Sequence, residues 1–291
     1  MLSRRDFLRT VPAAAVFAAL SARAQSKDDF KIRYTLSSAL YGTMPLDVIL
    51  PEVVKTGAES IDIWCKVHGD QREQAAALGE EAFAALLKKH GARVGASTRY
   101  PLGPFKLQEE MAWVKKHGGD LVICGCVGPK NPEGAAAKAA ELGVTIAVEN
   151  HVNQALHHPD SIKAFADLNT SPNLGLAFAP HHLHEWQDQI PALIRYAGAK
   201  NLPFIYFQEH SEGIFKKASK EIELQQLPGF GGGLDYRLVV KALRDVRFKG
   251  VAEIFMHPTP RGIPILPTVG EITAAVNKSR AYLDKCILET A

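Results

Sequence analysis

Eight short apolar runs recur along the chain, at 32–38, 60–64, 93–98, 121–124, 144–149, 174–178, 203–208 and 251–256. Most are apolar almost throughout instead of alternating with polar residues. A strand with one solvated face alternates, whereas a strand covered on both faces does not. The runs therefore fit a parallel sheet with helices packed outside it. Stretches with helical spacing separate them, at 47–56, 71–90, 106–117, 131–142, 160–168, 234–246 and 269–288. Repeated β-then-α units in this length predict an α/β fold, a single (β/α)8 TIM barrel. A doubly wound sheet is the main rival, but no glycine-rich phosphate loop follows the first run. No composition shift or long linker marks a second domain.

The N-terminus is set apart from the fold. Ser3-Arg4-Arg5-Asp6-Phe7-Leu8-Arg9 resembles a twin-arginine export motif, and an apolar stretch follows from Val11 to Leu20. Ala22-Arg23-Ala24 has the form of a cleavage site, so residues 1–24 read as a signal peptide and 25–291 as the barrel. The apolar stretch is shorter than the roughly 20 residues a bilayer span needs. This predicts a periplasmic or secreted protein with no stable membrane association after cleavage. Removing residues 1–24 takes away four arginines and one aspartate, so the net charge of +3 falls to zero. Nothing in that balance points to nucleic acid. Cys65, Cys124, Cys126 and Cys286 are too few for a disulfide scaffold and read as small buried thiols.

Polar residues collect at the ends of the last four runs. Glu149, Asn150 and His151 follow the fifth; His181, His182, His184 and Glu185 follow the sixth. Gln208, Glu209 and His210 close the seventh, while Glu253 and His257 belong to the eighth. Strand C-termini converge on one mouth of a parallel barrel. A carboxylate inside or just behind a buried run is costly unless something answers it, which singles out Glu149 and Glu253. Oxygen-rich sites with one or two imidazoles suit Mn2+, Mg2+, Co2+ or Zn2+. Gly229–Gly233 lies in the long seventh loop and reads as a tight or mobile turn near the mouth.

These motifs resemble the sugar phosphate isomerase/epimerase family with the xylose isomerase-like barrel. Thr145–His151 is similar to that family's strand-five motif, whose glutamate binds a divalent metal. Asn173 to Phe178 resembles the approach to strand six, and His182 matches the histidine after it. Gly229–Tyr236 resembles a glycine-rich loop with Asp235 at its acidic position, and Glu253 matches the second metal-binding glutamate. The family usually has Asp where this chain has Ala179, and His where it has Gln208.

The resemblance implies a metal held by Glu149, His182, Gln208 and Glu253, with Glu149 and Glu253 also catalytic. Such a site would stabilise an enediolate, one glutamate taking a proton beside a carbonyl and the other returning it. The expected substrate is a small carbohydrate, and a homo-oligomer is compatible with this reading. Trp64 and Tyr100 are candidates to stack on a sugar face, with His151, His210 and His257 as further substrate-binding residues. Lys66, His68 and Arg99 are placed to bind hydroxyls or an anionic group. Two other outcomes stay open. The same enolate chemistry on a keto-glycoside gives a lyase, and loss of the chemistry leaves a carbohydrate-binding barrel.

Overall fold

The computed structural model describes residues 30–104, 107–126 and 132–291. The expected signal peptide lies outside the described residues. Eight strands close into one barrel in sequence order, every neighbouring pair parallel. They are β1 (Arg33–Ser37), β2 (Ser60–Trp64), β3 (Val94–Thr98), β4 (Leu121–Cys124), β5 (Thr145–Glu149), β6 (Leu174–Phe178), β7 (Phe204–Phe207) and β8 (Val251–Ile254). Closure comes from β1 against β8, where Thr35 aligns with Glu253. The barrel fold expected from the apolar runs is the fold observed.

Burial on both faces explains the continuous apolar strands. Ile61, Ile63, Val122, Ile123, Ile146, Leu176, Phe204 and Ile205 are all fully buried. Each strand then leads outward into a helix that covers the sheet. The helix Tyr236–Asp245 buries Tyr236, Val239, Val240, Ala242 and Leu243 along one stripe. The last helix, Val269–Glu289, starts at a capping box in which Thr268 and Glu271 satisfy each other's backbone.

Two expected helices are each divided. The 71–90 stretch forms Gln71–Leu78 and Glu80–Lys89, broken at Gly79, whose φ of 77° no helix accommodates. The 47–56 stretch forms Leu46–Ile49 and Glu52–Lys55, with Pro51 between them supplying no backbone N–H. Between β6 and β7 an additional helix, Ile190–Ala197, follows a 3-10 stretch, Pro180–Gln189. All four cysteines are free, and Cys65, Cys124 and Cys286 are buried. Among the described residues no helix is long and apolar enough to cross a membrane.

Candidate functional site

Glu149 is the last residue of β5 and aligns with Ala177 on β6. Its side chain points into a cluster of imidazoles. His182 Nε2 lies 3.3 Å from Glu149 Oε1, and the His151 and His182 ring centres are 4.0 Å apart. Asn150 fixes this arrangement by clamping β6 to β5. Its Oδ1 accepts from Ala179 N at 2.7 Å and its Nδ2 donates to Ala179 O at 3.0 Å. His182 N in turn donates to Ala179 O at 3.2 Å.

Burial sets the protonation of this cluster. It raises the Glu149 carboxyl to about 7, against the opposing pull of His151 and the Arg261 charge. It lowers His182 to about 3, so that imidazole is neutral. His151 Nδ1 sits 2.8 Å from Val152 O, and with its proton there Nε2 is left as the free lone pair. Glu149, His151 and His182 each offer a ligand atom, all within 4.8 Å of one another. Two neutral imidazoles and a carboxylate, one imidazole oriented by a backbone carbonyl, form a donor set that fits a divalent transition metal.

A second acidic centre lies deeper in the barrel. Asp62 on β2 and Glu253 on β8 are both fully buried and close enough for each to shift the other's titration. Thr98 Oγ1 donates to Asp62 Oδ2 at 2.5 Å, and Trp64 Nε1 donates to Glu253 Oε1 at 3.2 Å. Burial raises Glu253 well above the usual carboxylate range, and the neighbouring Asp62 charge adds to it. Two buried carboxyls so placed disfavour a charge on both, which favours a proton held by the pair. Tyr206 on β7 aligns with Glu253, and the charges of Glu149, Glu253 and Asp62 all reach its buried hydroxyl. Asp62 was missing from the sequence-level candidates, although Ser60–Trp64 carries the signal that marked Glu253, a carboxylate inside an apolar run.

The four residues expected to share a metal are distributed over three environments. Glu149 and His182 adjoin, with His151 beside them. Glu253 joins Asp62 and Trp64. Gln208 is fully buried and donates from Nε2 to Gln226 Oε1 at 2.8 Å. Gln226 is itself tied to the His257 backbone by bonds of 2.9 and 3.0 Å. Trp64 is only 3% exposed and stacks on Phe255 at 4.7 Å, while Tyr100 packs on His151 at 4.8 Å. His257 contacts His68 at 5.0 Å and lies 5.9 Å from His181, which packs on His182 at 4.0 Å, and His210 lies 5.7 Å from His184. Asp235 caps the helix Tyr236–Asp245 and pairs with Arg237 at 2.7 Å.

A family model described as xylose isomerase-like TIM barrel matches residues 130–285. The chain belongs to the xylose isomerase-like TIM barrel family. No curated protein matches it. Among solved structures, the IOLI protein with a bound zinc atom is 14% identical with a TM-score of 0.69, covering 89% of this chain and 99% of that one. A D-allulose 3-epimerase from Methylomonas sp. in complex with D-allulose is 14% identical with a TM-score of 0.63, covering 88% and 98%. A xylose isomerase-like barrel protein from Mycobacterium smegmatis in complex with magnesium is 12% identical with a TM-score of 0.60, covering 90% and 98%. At these identities the likeness shows the shared fold.

In this member of the xylose isomerase-like family, the loop after β7 is built around Glu209. That carboxylate, 2% exposed, accepts from Gly229 N at 3.0 Å and Leu234 N at 3.3 Å. A Cβ on Gly232 would stand 2.6 Å from Glu209 Cβ and 2.7 Å from its Oε2. Gly232→Ala is therefore expected to lose about 1–3 kcal/mol of stability. It should also raise amide hydrogen exchange across 229–234, measured by mass spectrometry.

Proposed function

We propose that this barrel is a metal-dependent isomerase or epimerase that moves a proton beside the carbonyl of a sugar or sugar-like substrate. One observation carries the reading: the buried Glu149 carboxyl lies 3.3 Å from His182 at the barrel end, and Glu149, His151 and His182 bring their ligand atoms within 4.8 Å of one another. Glu149, His151 and His182 would hold the divalent ion, which when bound polarises substrate oxygens.

The chain's own groups divide the remaining tasks. Glu149 takes the proton from the carbon beside the carbonyl. His182, neutral and in contact with Glu149, orients that carboxylate. Asp62 and Glu253 hold a proton between them at the opposite strands, and the buried Tyr206 hydroxyl feels all three carboxyls. Tyr100, packed against His151, walls the entrance and limits water near the carbanion. The structural likeness to a D-allulose 3-epimerase supports a ketose as first choice of substrate. The twin-arginine motif belongs to the same reading, and it favours a sugar or glycoside met outside the cytoplasm.

A second outcome is supported by one feature, the protonated carboxyl pair. A neutral acid facing the site suits departure of a glycosidic oxygen, so a keto-glycoside would undergo elimination instead of reprotonation. The test is to purify the protein with its metal retained and measure metal content. It is then incubated in D2O with D-allulose, D-fructose, L-ribulose and a 3-keto-glucoside. Deuterium next to the carbonyl is the expected result; product analysis separates epimer from eliminated sugar. A metal-free protein that exchanges no substrate hydrogen would sink the proposal.

A further inference from the structure

The loop after β8 carries one arginine over the candidate site. It is fixed at both ends. Thr259 N donates to Glu223, and Ile265 N donates to Leu40 O at 2.9 Å, next to a bridge between Tyr41 and Pro264. Gly262, at a φ of 82°, turns the chain where a side chain would press on Val67 O, 2.9 Å from a Cβ. Arg261 stands between these anchors, exposed on its outer side, with Nη1 3.4 Å from His68 Nε2.

Its electrostatic reach covers the mouth. The Arg261 charge bears on Glu149, Tyr100, His68, His151, His182 and His257. Yet among the described residues no carboxylate forms an ion pair with it. The other arginine of the mouth, Arg99, is answered by Glu110 at 3.9 Å. Glu149 is engaged with His182, while Asp62 and Glu253 are engaged with each other, Thr98 and Trp64.

Two imidazoles line the same corner with polar atoms to spare. His68 is 5% exposed and His257 is 9% exposed, with ring centres 5.0 Å apart. The Nδ1 atoms of both are buried and bond no other described group. A guanidinium on an anchored loop beside two buried ring nitrogens able to present N–H groups is a donor array for an oxyanion. Arginine's planar fork matches both carboxylate and phosphate geometry.

We propose that Arg261, with His68 and His257, is an anion-recognition corner that selects substrates bearing a carboxylate or phosphate on the sugar. This deepens the proposed function and rests on it, since it names the class of sugar the same mouth would take. The reacting carbonyl lies toward Glu149 and the anionic group toward Arg261.

Binding of D-glucose, D-glucuronate and D-glucose 6-phosphate to the protein as isolated, by titration calorimetry at low salt, tests this. At least one anionic sugar is expected to bind about tenfold more tightly than glucose. The one with the larger preference identifies carboxylate or phosphate as the group recognised. Arg261→Gln should bring that ratio to within about twofold and Arg261→Lys should restore part of it, while Arg237→Gln, on the far side of the seventh loop, keeps it. No preference for either anion, or a preference that survives Arg261→Gln, overturns the proposal. Deuterium exchange on ketoses is read separately. Anion preference without exchange removes the proposed reaction alone, and exchange without anion preference removes the Arg261 corner alone.

Discussion

Glu149→Gln is expected to lower deuterium exchange beside the substrate carbonyl by about a thousandfold, within the range that a positioned general base contributes. The amide keeps the shape of the carboxyl and can still contact His182, but it accepts no proton. The fold should survive for an electrostatic reason. A carboxyl whose folded pKa is raised contributes stability that is fully present below its unfolded value of 4.5 and is lost as pH rises through about 7. Above that point the wild-type protein bears the cost of a buried charge, and the amide does not. In chelator-treated protein, the Gln variant should therefore melt at or above the wild-type temperature at pH 8. At pH 5 the wild type should regain several degrees relative to the variant. Exchange by NMR and melting by circular dichroism, on the same samples, separate a catalytic loss from an unfolding one. Retained exchange in a well-folded variant would remove Glu149 from the mechanism.

The separation of these two readouts depends on how the barrel distributes its polar groups, and only part of that distribution was legible in the sequence. The strands were legible because a parallel barrel buries both faces, which leaves runs such as Phe204–Phe207 with no polar alternation. Their boundaries shifted by a residue or two where the last apolar residue leaves the ladder. The helix Ile190–Ala197 went unread behind the polar stretch before it. Yet Pro191 near its start, Leu193, Ile194 and Ala197 on one face, and Gly198 at a φ of 67° were all available.

Side-chain pairing was the part beyond reach. The carboxylates at 149 and 253 stood out, but their partners are chosen by which strands face each other across the barrel. Glu253 meets Asp62 because β8 and β2 flank β1, a relation between residues nearly two hundred positions apart. Gln208 turns to Gln226, a residue of an irregular loop. His151 reaches Glu149 and His182 because Asn150 clamps the ends of β5 and β6 together. Arg261 sits in a loop with no periodic pattern, and its position follows from anchors at Glu223 and Leu40 that only the folded chain brings near.

Trp64→Ala is expected to destabilise the barrel by about 3–5 kcal/mol, the range for truncating a buried large aromatic residue, and to lower Tm by roughly 10 °C. The indole is nearly parallel to Phe255, at 10° and 4.7 Å, and touches His68 at 5.1 Å and Tyr206 at 6.3 Å. Its Nε1–H also answers Glu253 Oε1. Removing it opens a cavity among aromatic rings and takes a donor from a buried carboxyl pair. Trp64→Phe isolates the second effect, because the ring stack is largely kept while the N–H is lost. One unanswered buried acceptor costs about 1–3 kcal/mol, so the Phe variant should fall between wild type and Ala. Combining Trp64→Phe with Asp62→Asn then measures the coupling. If Trp64, Glu253 and Asp62 act as one network, the double variant loses less than the sum of the two single losses. A Trp64→Ala protein that melts within 2 °C of wild type but binds sugar weakly would make the indole a substrate platform, not a support for the Asp62–Glu253 pair.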